Sequence, residues 1–271
     1  MSPHHAKKHL GQHFLKDKNI ARKIVDALTP HHGHTIVEVG PGTGALTEHL
    51  VNKYAATLHL VEVDPNLVER LQRTYSVLHN RIVAADFLTL ALDQQWEGSL
   101  SIIGNFPYNI SSPIFFKVLA HRQQVKEVVC MIQQEVAHRL IALPGTKAYG
   151  IPSVLLQAFY DIKYLFTVGP QVFAPPPKVH SAVIRLQRNG RLALPCDEKL
   201  FFSVVKVSFR QRRKTLQNAL KPLLPPGRLP WPELSQRAEQ LTVQDFVALT
   251  QRISALPKDS NAHTDASRTL A

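Results

Sequence analysis

Thr35-Ile36-Val37-Glu38-Val39-Gly40-Pro41-Gly42-Thr43-Gly44 decides the architecture. Five residues, mostly β-branched, read as a strand, and three glycines within the next five positions read as a tight turn. Residues 45–53 then take up the 3.6-residue period of a helix. A strand running through glycines into a helix is the opening of a nucleoside-binding α/β unit. There the missing side chains let a ligand approach backbone N–H groups at a helix N-terminus. Gly40-x-Gly42-x-x-Ala45 also satisfies the dinucleotide fingerprint, so the turn indicates a nucleoside cofactor without saying which.

Downstream, strand and helix patterns alternate. Residues 57–63, 81–84, 100–104 and 125–132 read as short buried strands, and 66–74 as a helix with Pro65 in its first turn. Ser111 and Ser112 are expected to cap a helix through 114–119 that has Pro113 at its start. Such alternation predicts an α/β, Rossmann-like, mainly parallel sheet with helices on both faces. Glu62 closes the second strand, where an acid can accept from ribose hydroxyls. Asp86 follows the third strand and reads either as an acceptor for an adenine amine or as a turn cap.

Beyond Phe173 the composition changes. Ala174-Pro175-Pro176-Pro177 reads as an extended linker, followed by one strand over 181–187. Helical patterns then cover 199–209, 214–223, 231–237 and 243–253. The expected organisation is a cofactor-binding domain over 1–189, a small all-helical domain over 190–256 and a disordered tail over 257–271.

The 271 residues carry a formal charge of +12, unevenly placed. Residues 1–23 hold +5 and 171–228 hold +10, while 24–170 and 229–271 are slightly acidic at −2 and −1. Two basic blocks flanking a nearly neutral body suit either a polyanion partner or two solvated helix faces. Two cysteines, Cys130 and Cys196, are too few for a disulfide framework and fit a reduced, cytosolic setting. No stretch approaches a membrane span, and the basic N-terminus lacks the apolar core of a secretory signal. His31-His32-x-His34 has no cysteine or acidic partner at ligand spacing, so no metal is expected.

Asn105-Phe106-Pro107-Tyr108, directly after the strand 100–104, discriminates among nucleoside-binding folds. Asn105 supplies an amide oxygen, Pro107 a carbonyl uncompeted by an N–H of its own, and Tyr108 a flat ring. Two acceptors and a stacking surface suit a planar ring with an exocyclic amine.

With these residues in hand, the chain resembles the ribosomal RNA adenine N6-dimethyltransferases of the KsgA (RsmA) type over residues 6–254. The matching blocks are KHLGQHFL at 8–15, EVGPGTG at 38–44, VEVD at 61–64 and NFPYNISSPI at 105–114. FAPPPKVHSAVIRL at 173–186 and FRQRRKTLQNAL at 209–220 complete them. The resemblance implies S-adenosylmethionine as methyl donor. It implies that His13 and Leu15 close over the cofactor, Gly40 and Gly42 lie against it, Glu62 binds its ribose and Asp86 its adenine. Asn105 then sits at the junction of donor and target, and Tyr108 and Phe173 on opposite faces of the target adenine. The block around His13 more often reads Gln-Asn-Phe in the family, and position 106 is more often Leu.

The implied reaction is dimethylation of two adjacent adenines near the 3′ end of small-subunit rRNA, on a partly assembled subunit, by a cytoplasmic monomer. Lys206, Arg210, Arg212, Arg213, Lys214 and Lys221 are expected to meet RNA phosphates, the run from Arg210 beginning a helix. Lys7 and Lys8 are expected to fold over the site or over RNA. Two further readings stay open: the related enzyme that methylates a large-subunit adenine and confers macrolide resistance, and an assembly factor that binds RNA without needing chemistry. The block at 209–220 favours the small-subunit type over the first. The intact glycine turn, Glu62, Asp86 and NFPY argue against the second.

Overall fold

The computed structural model describes residue 7, residues 11–227 and residues 229–257. Lys8 and, apart from Pro257, the expected disordered tail at 257–271 lie outside the described residues. Nine strands are described among them: β1 (Phe14–Leu15), β2 (Thr35–Val39), β3 (Leu58–Glu62), β4 (Ile82–Ala84), β5 (Leu100–Asn105), β6 (Val125–Gln133), β7 (Tyr160–Val168), β8 (Phe173–Ala174) and β9 (Ser181–Arg188). Seven form one sheet in the order β4-β3-β2-β5-β6-β9-β7, in which β9 runs antiparallel to both its neighbours and the remaining pairs are parallel.

The chain leaves β2 toward β3 and β4 on one side, then returns to β5 and β6 on the other. The order therefore reverses between β2 and β5, whose parallel register pairs Glu38 with Ile103. In open α/β sheets, the carboxyl ends of strands at such a reversal frame the ligand crevice. Gly40 and Asn105 lie at those two ends.

Helices α1 (Lys18–Asp26), α2 (Thr47–Tyr54), α3 (Pro65–Thr74), α4 (Leu92–Gln95), α5 (Ser111–Ala120), α6 (Gln134–Leu140) and α7 (Ile151–Gln157) accompany the sheet. Ile24 and Val25 of α1, Leu50 of α2 and Leu71 of α3 pack in one apolar cluster with Ile36, Leu60, Ile103 and Met131 of the sheet. Asp64 caps α3 by accepting from Asn66 N at 3.1 Å, with Pro65 in the first turn as expected.

Several local expectations are corrected. α2 starts at Thr47 rather than 45, because Gly44 at φ 88° prolongs the turn. α5 starts at Ser111 itself, so Ser111 and Ser112 are not its caps; the Ser111 hydroxyl donates back to the Tyr108 carbonyl at 3.2 Å. The proline-rich 174–177 is no linker: it leads from β8 to β9 inside the first unit, with a cis Ala174–Pro175 bond. β1, β7, β8, α1, α4, α6 and α7 lie where the sequence pattern predicts no element.

The chain divides into two compact units after Leu192. Every described element of the second unit is helical: α8 (Glu198–Arg210), α9 (Leu216–Ala219), α10 (Val243–Ser254) and short 3-10 turns. Asp197 caps α8 and Thr242 caps α10. Phe209 of α8 meets Phe246 of α10 with ring centroids 5.9 Å apart. The helices expected over 214–223 and 231–237 shrink to α9 with a 3-10 turn at Lys221–Leu223, and to a 3-10 turn at Pro232–Ser235. Pro222, Pro230 and Pro232 deny a longer helix its backbone donors.

Candidate functional site

At the β2–β5 reversal, a pocket is lined by the glycine turn, the end of β3, the segment after β4, the Asn105–Ile110 loop and residues 11–15. Gly40, Gly42 and Gly44 hold φ of 66°, 58° and 88°, a left-handed series that L side chains resist. A Cβ on Gly42 would come within 3.0 Å of the Phe14 ring. The turn thus needs its glycines twice, for conformation and for the closeness of residues 11–15.

Glu62 reaches the pocket at the end of β3 and is already hydrogen-bonded. Oε2 accepts from Gly42 N at 3.1 Å, while Oε1 accepts from Val63 N at 2.9 Å and Asp64 N at 3.0 Å. Burial pushes its pKa up, against the pull of these three donors. Glu38, absent from the expected site residues, lies beneath the turn at 1% exposure and accepts from the Thr47 hydroxyl at 2.7 Å. Burial raises its pKa to about 8. Asp86 lines the pocket and its Oδ1 accepts from Leu88 N at 2.9 Å, so it caps the turn while also reaching the pocket.

Asn105 ends β5 with its side-chain Nδ2 donating to the His13 carbonyl at 2.8 Å. That bond fixes the amide orientation and leaves Oδ1 as the acceptor. The Pro107 carbonyl accepts from Ile110 N at 3.2 Å, which uses one of its two lone pairs. The Tyr108 hydroxyl shares a 2.6 Å hydrogen bond with the Ser181 hydroxyl at the start of β9, and burial raises its pKa. The His13 ring lies 5.3 Å from the Tyr108 ring at 30°, held by Nδ1 to the Pro175 carbonyl at 2.8 Å.

Leu15 touches the pocket while anchoring in the core. Phe173 does not reach it: β8 pairs antiparallel with β1, Leu15 opposite Phe173, and this turns the Phe173 ring into the core at 1% exposure. The expected placement of Phe173 against a target base is therefore not found in this structure. Lys7, one of the two expected N-terminal cations, is tied down by Asp64 at 2.9 Å and its backbone N–H by Gln12 Oε1 at 2.8 Å. Sequence reading missed Glu38, Phe14 and Ser181. Only Glu38 carried a local signal, as an acid inside an otherwise apolar strand.

Lys206 and Arg210 project from one exposed face of α8, but Arg212, Arg213 and Lys214 do not begin a helix. They form the exposed turn after it, where Arg212 reaches Glu239 at 3.8 Å. Lys221 is exposed in the following 3-10 turn. Among the described residues no helix is long and apolar enough to cross a membrane, and no group of three or more His, Cys, Asp or Glu stands together as metal ligands would.

The profile of the ribosomal RNA adenine dimethylases matches residues 3–255. The chain belongs to this family. Among relatives of this adenine dimethylase chain, the ribosomal RNA small subunit methyltransferase A of Cytophaga hutchinsonii is 52% identical over 251 residues, covering 92% of this chain and 97% of that one. Its namesake in Parabacteroides distasonis is 52% identical over 248 residues, covering 90% and 92%. In fold, this family member is similar to a dimethyladenosine transferase from Plasmodium falciparum, with TM-score 0.73 at 22% identity, covering 89% and 98%. It is also similar to the 23S rRNA methyltransferase ErmE, with TM-score 0.64 at 24% identity, covering 88% and 99%. Both likenesses are of fold.

Proposed function

We propose that this chain transfers methyl groups from S-adenosylmethionine to the N6 amines of two adjacent adenines near the 3′ end of small-subunit rRNA, on a partly assembled subunit in the cytoplasm. The observation that carries the reading is the orientation of Asn105: with Nδ2 given to His13, Oδ1 is left to accept from an amine at the strand reversal. The names of the relatives at 52% identity favour the small subunit as substrate.

The pocket residues fit the donor. The left-handed glycine turn exposes backbone to a nucleoside, and the Glu62 carboxylate, with roughly four lone-pair sites of which three are engaged, retains acceptor capacity for a ribose hydroxyl. Asp86 would sit beside the cofactor adenine, and residues 13–15 would cover the site. The bound donor supplies an electrophilic methyl group on sulfonium.

The chain's own part is positioning. An adenine N6 lone pair is delocalised into the ring and is a weak nucleophile. Oδ1 of Asn105 and the second lone pair of the Pro107 carbonyl would take the amine hydrogens and favour a tetrahedral nitrogen whose lone pair faces the methyl. Tyr108 offers a ring on which the adenine stacks, braced through Ser181. The cationic nitrogen formed by transfer loses its proton to water, and a second transfer to the monomethylated amine gives the dimethyl product. The target base must leave its stack, which is easiest in a loop. The first unit holds the chemistry, and the exposed cations of the second hold RNA phosphates.

Incubation with tritiated S-adenosylmethionine and small subunits lacking these methyl groups tests the proposal. Label recovered as N6,N6-dimethyladenosine in small-subunit rRNA supports it. Label entering large-subunit RNA instead, or RNA binding with no label at all, overturns it.

A further inference from the structure

The second unit contains a cavity of about 550 Å³ between α9 and the 3-10 turn Pro232–Ser235, far along the chain from every residue assigned to methyl transfer. One wall is the indole of Trp231, half-buried and carried on the proline-flanked segment Pro230-Trp231-Pro232. The Arg252 guanidinium stands over that ring at 5.9 Å and is itself fixed by Glu233 at 2.7 Å. The aromatic surface thus carries a cation that is itself paired with an acid.

Polar side chains of Thr215, Gln217, Asn218 and Ser235 also line the cavity. Gln217 gives Nε2 to the Gly227 carbonyl at 3.4 Å, and Asn218 gives Nδ2 to the Thr215 hydroxyl at 3.3 Å. With those donors directed at the protein, the two amide oxygens remain as acceptors for a ligand that brings N–H groups. Arg213 and Lys214 immediately precede Thr215, a lining residue, and are exposed, so two cations stand next to the cavity along the chain. A flat ring and amide acceptors, with cations next to them along the chain, suit recognition of a base in single-stranded RNA.

We propose that this cavity binds a second, unstacked nucleobase of the RNA substrate, one bearing an exocyclic amine, and so fixes the register in which the target adenine meets the first unit. The inference rests on the RNA-methyltransferase reading above, and deepens it by assigning a base-reading role to the second unit.

The chain's two tryptophans make the test direct. Trp96 lies in the first unit at 6% exposure, and its indole N–H makes no hydrogen bond, so Trp96→Phe removes it without orphaning a partner. In that protein the only indole is Trp231. Titration with short single-stranded oligoadenylate and oligocytidylate should quench its fluorescence, whereas oligouridylate, lacking the amine, should bind more weakly. Trp231→Ala should weaken binding of labelled oligoadenylate about tenfold, within the range for one stacked base, and Trp231→Phe should restore most of it. Gln217→Leu, which keeps the fold's apolar volume but removes one acceptor, should shrink the preference over oligouridylate. An unquenched indole while labelled RNA binds, or quenching only by RNA-free ribosomal proteins, overturns the proposal. Methyl transfer followed in the same samples separates the two readings: normal transfer without quenching sinks the cavity alone, and loss of both RNA binding and transfer in the parent protein sinks both.

Discussion

The side-chain amide of Asn105 donates to the main-chain carbonyl of His13 at 2.8 Å, tying the end of β5 to the residues that lead into β1. A primary amide has one donor end and one acceptor end. Committing the first to His13 leaves Oδ1 as the atom that would meet the proposed substrate amine.

Asn105→Ala should therefore bind RNA as the parent does and lose methyl transfer by about a hundredfold or more, the scale for one preorganised polar contact at a reacting centre. Single-turnover transfer and RNA affinity, measured on the same variant, separate the two effects. Asn105→Asp keeps an acceptor but repels the His13 carbonyl, so it should rescue little. Turnover near the parent level in either variant contradicts the amine-gripping role.

Glu38 predicts a pH dependence of stability. Its folded pKa, about 8, lies above the ordinary 4.5 because burial penalises the charged form. The folded state then binds more protons than the unfolded state between those values, so stability is full below about 4.5 and declines as pH rises through about 8. Glu62 is shifted in the same direction. Glu38→Gln, still able to accept from Thr47, should flatten the fall in urea midpoint between pH 5 and pH 9 while matching the parent at low pH. A parent curve that rises over this range rules out a neutral Glu38.

Gly104 lies inside β5 beside the site. A Cβ there would stand 2.5 Å from the Val39 carbonyl, a clash with backbone of the neighbouring strand. Gly104→Ala should destabilise the protein by about 1–3 kcal/mol, because β2 and β5 must separate to admit it. Cofactor affinity should fall too, since the glycine turn and Asn105 lie at the ends of those strands. Thermal unfolding with and without the donor reads both.

The exposed turn after α8 predicts a salt effect. Replacing Arg213 and Lys214 with Gln should lower RNA affinity and make its dependence on log salt shallower by about 0.7 per lost phosphate contact. Arg212→Gln should cost less, as Arg212 already faces Glu239 at 3.8 Å. An unaltered slope identifies these residues as a solvated surface.

The features legible in the sequence are those written in neighbouring residues. The strand at 35–39, its glycine turn, Glu62 two strand-lengths on, and Asn105 at a strand end are all local patterns, and the sheet reversal brings them together. The features that escaped depend on distant pairing. Ser181 finds Tyr108 across 73 positions. β7 loses its period at the irregularity between Tyr164 and Phe166, which hides it from an alternation search. Phe173 faces the core because β1 pairs with β8, a two-residue ladder no propensity announces. The basic run after Phe209 misled for another reason: α8 ends at Arg210, since Gln211-Arg212-Arg213-Lys214 offers no apolar residue to bury and so nothing to hold a further turn in place.

The pairing of Glu38 with Ile103 has a reach beyond the pocket. Neighbouring strands keep a spacing of about 4.8 Å whatever loops they carry. Gly40 and Asn105 hang from two such neighbours, so under the proposed function the backbone ladder would work as a ruler for the span a carbon must cross. That spacing belongs to the strands and is not carried by the loops at the rim. Under the proposed function, the transfer distance would then be set by the sheet and not by whatever surrounds it.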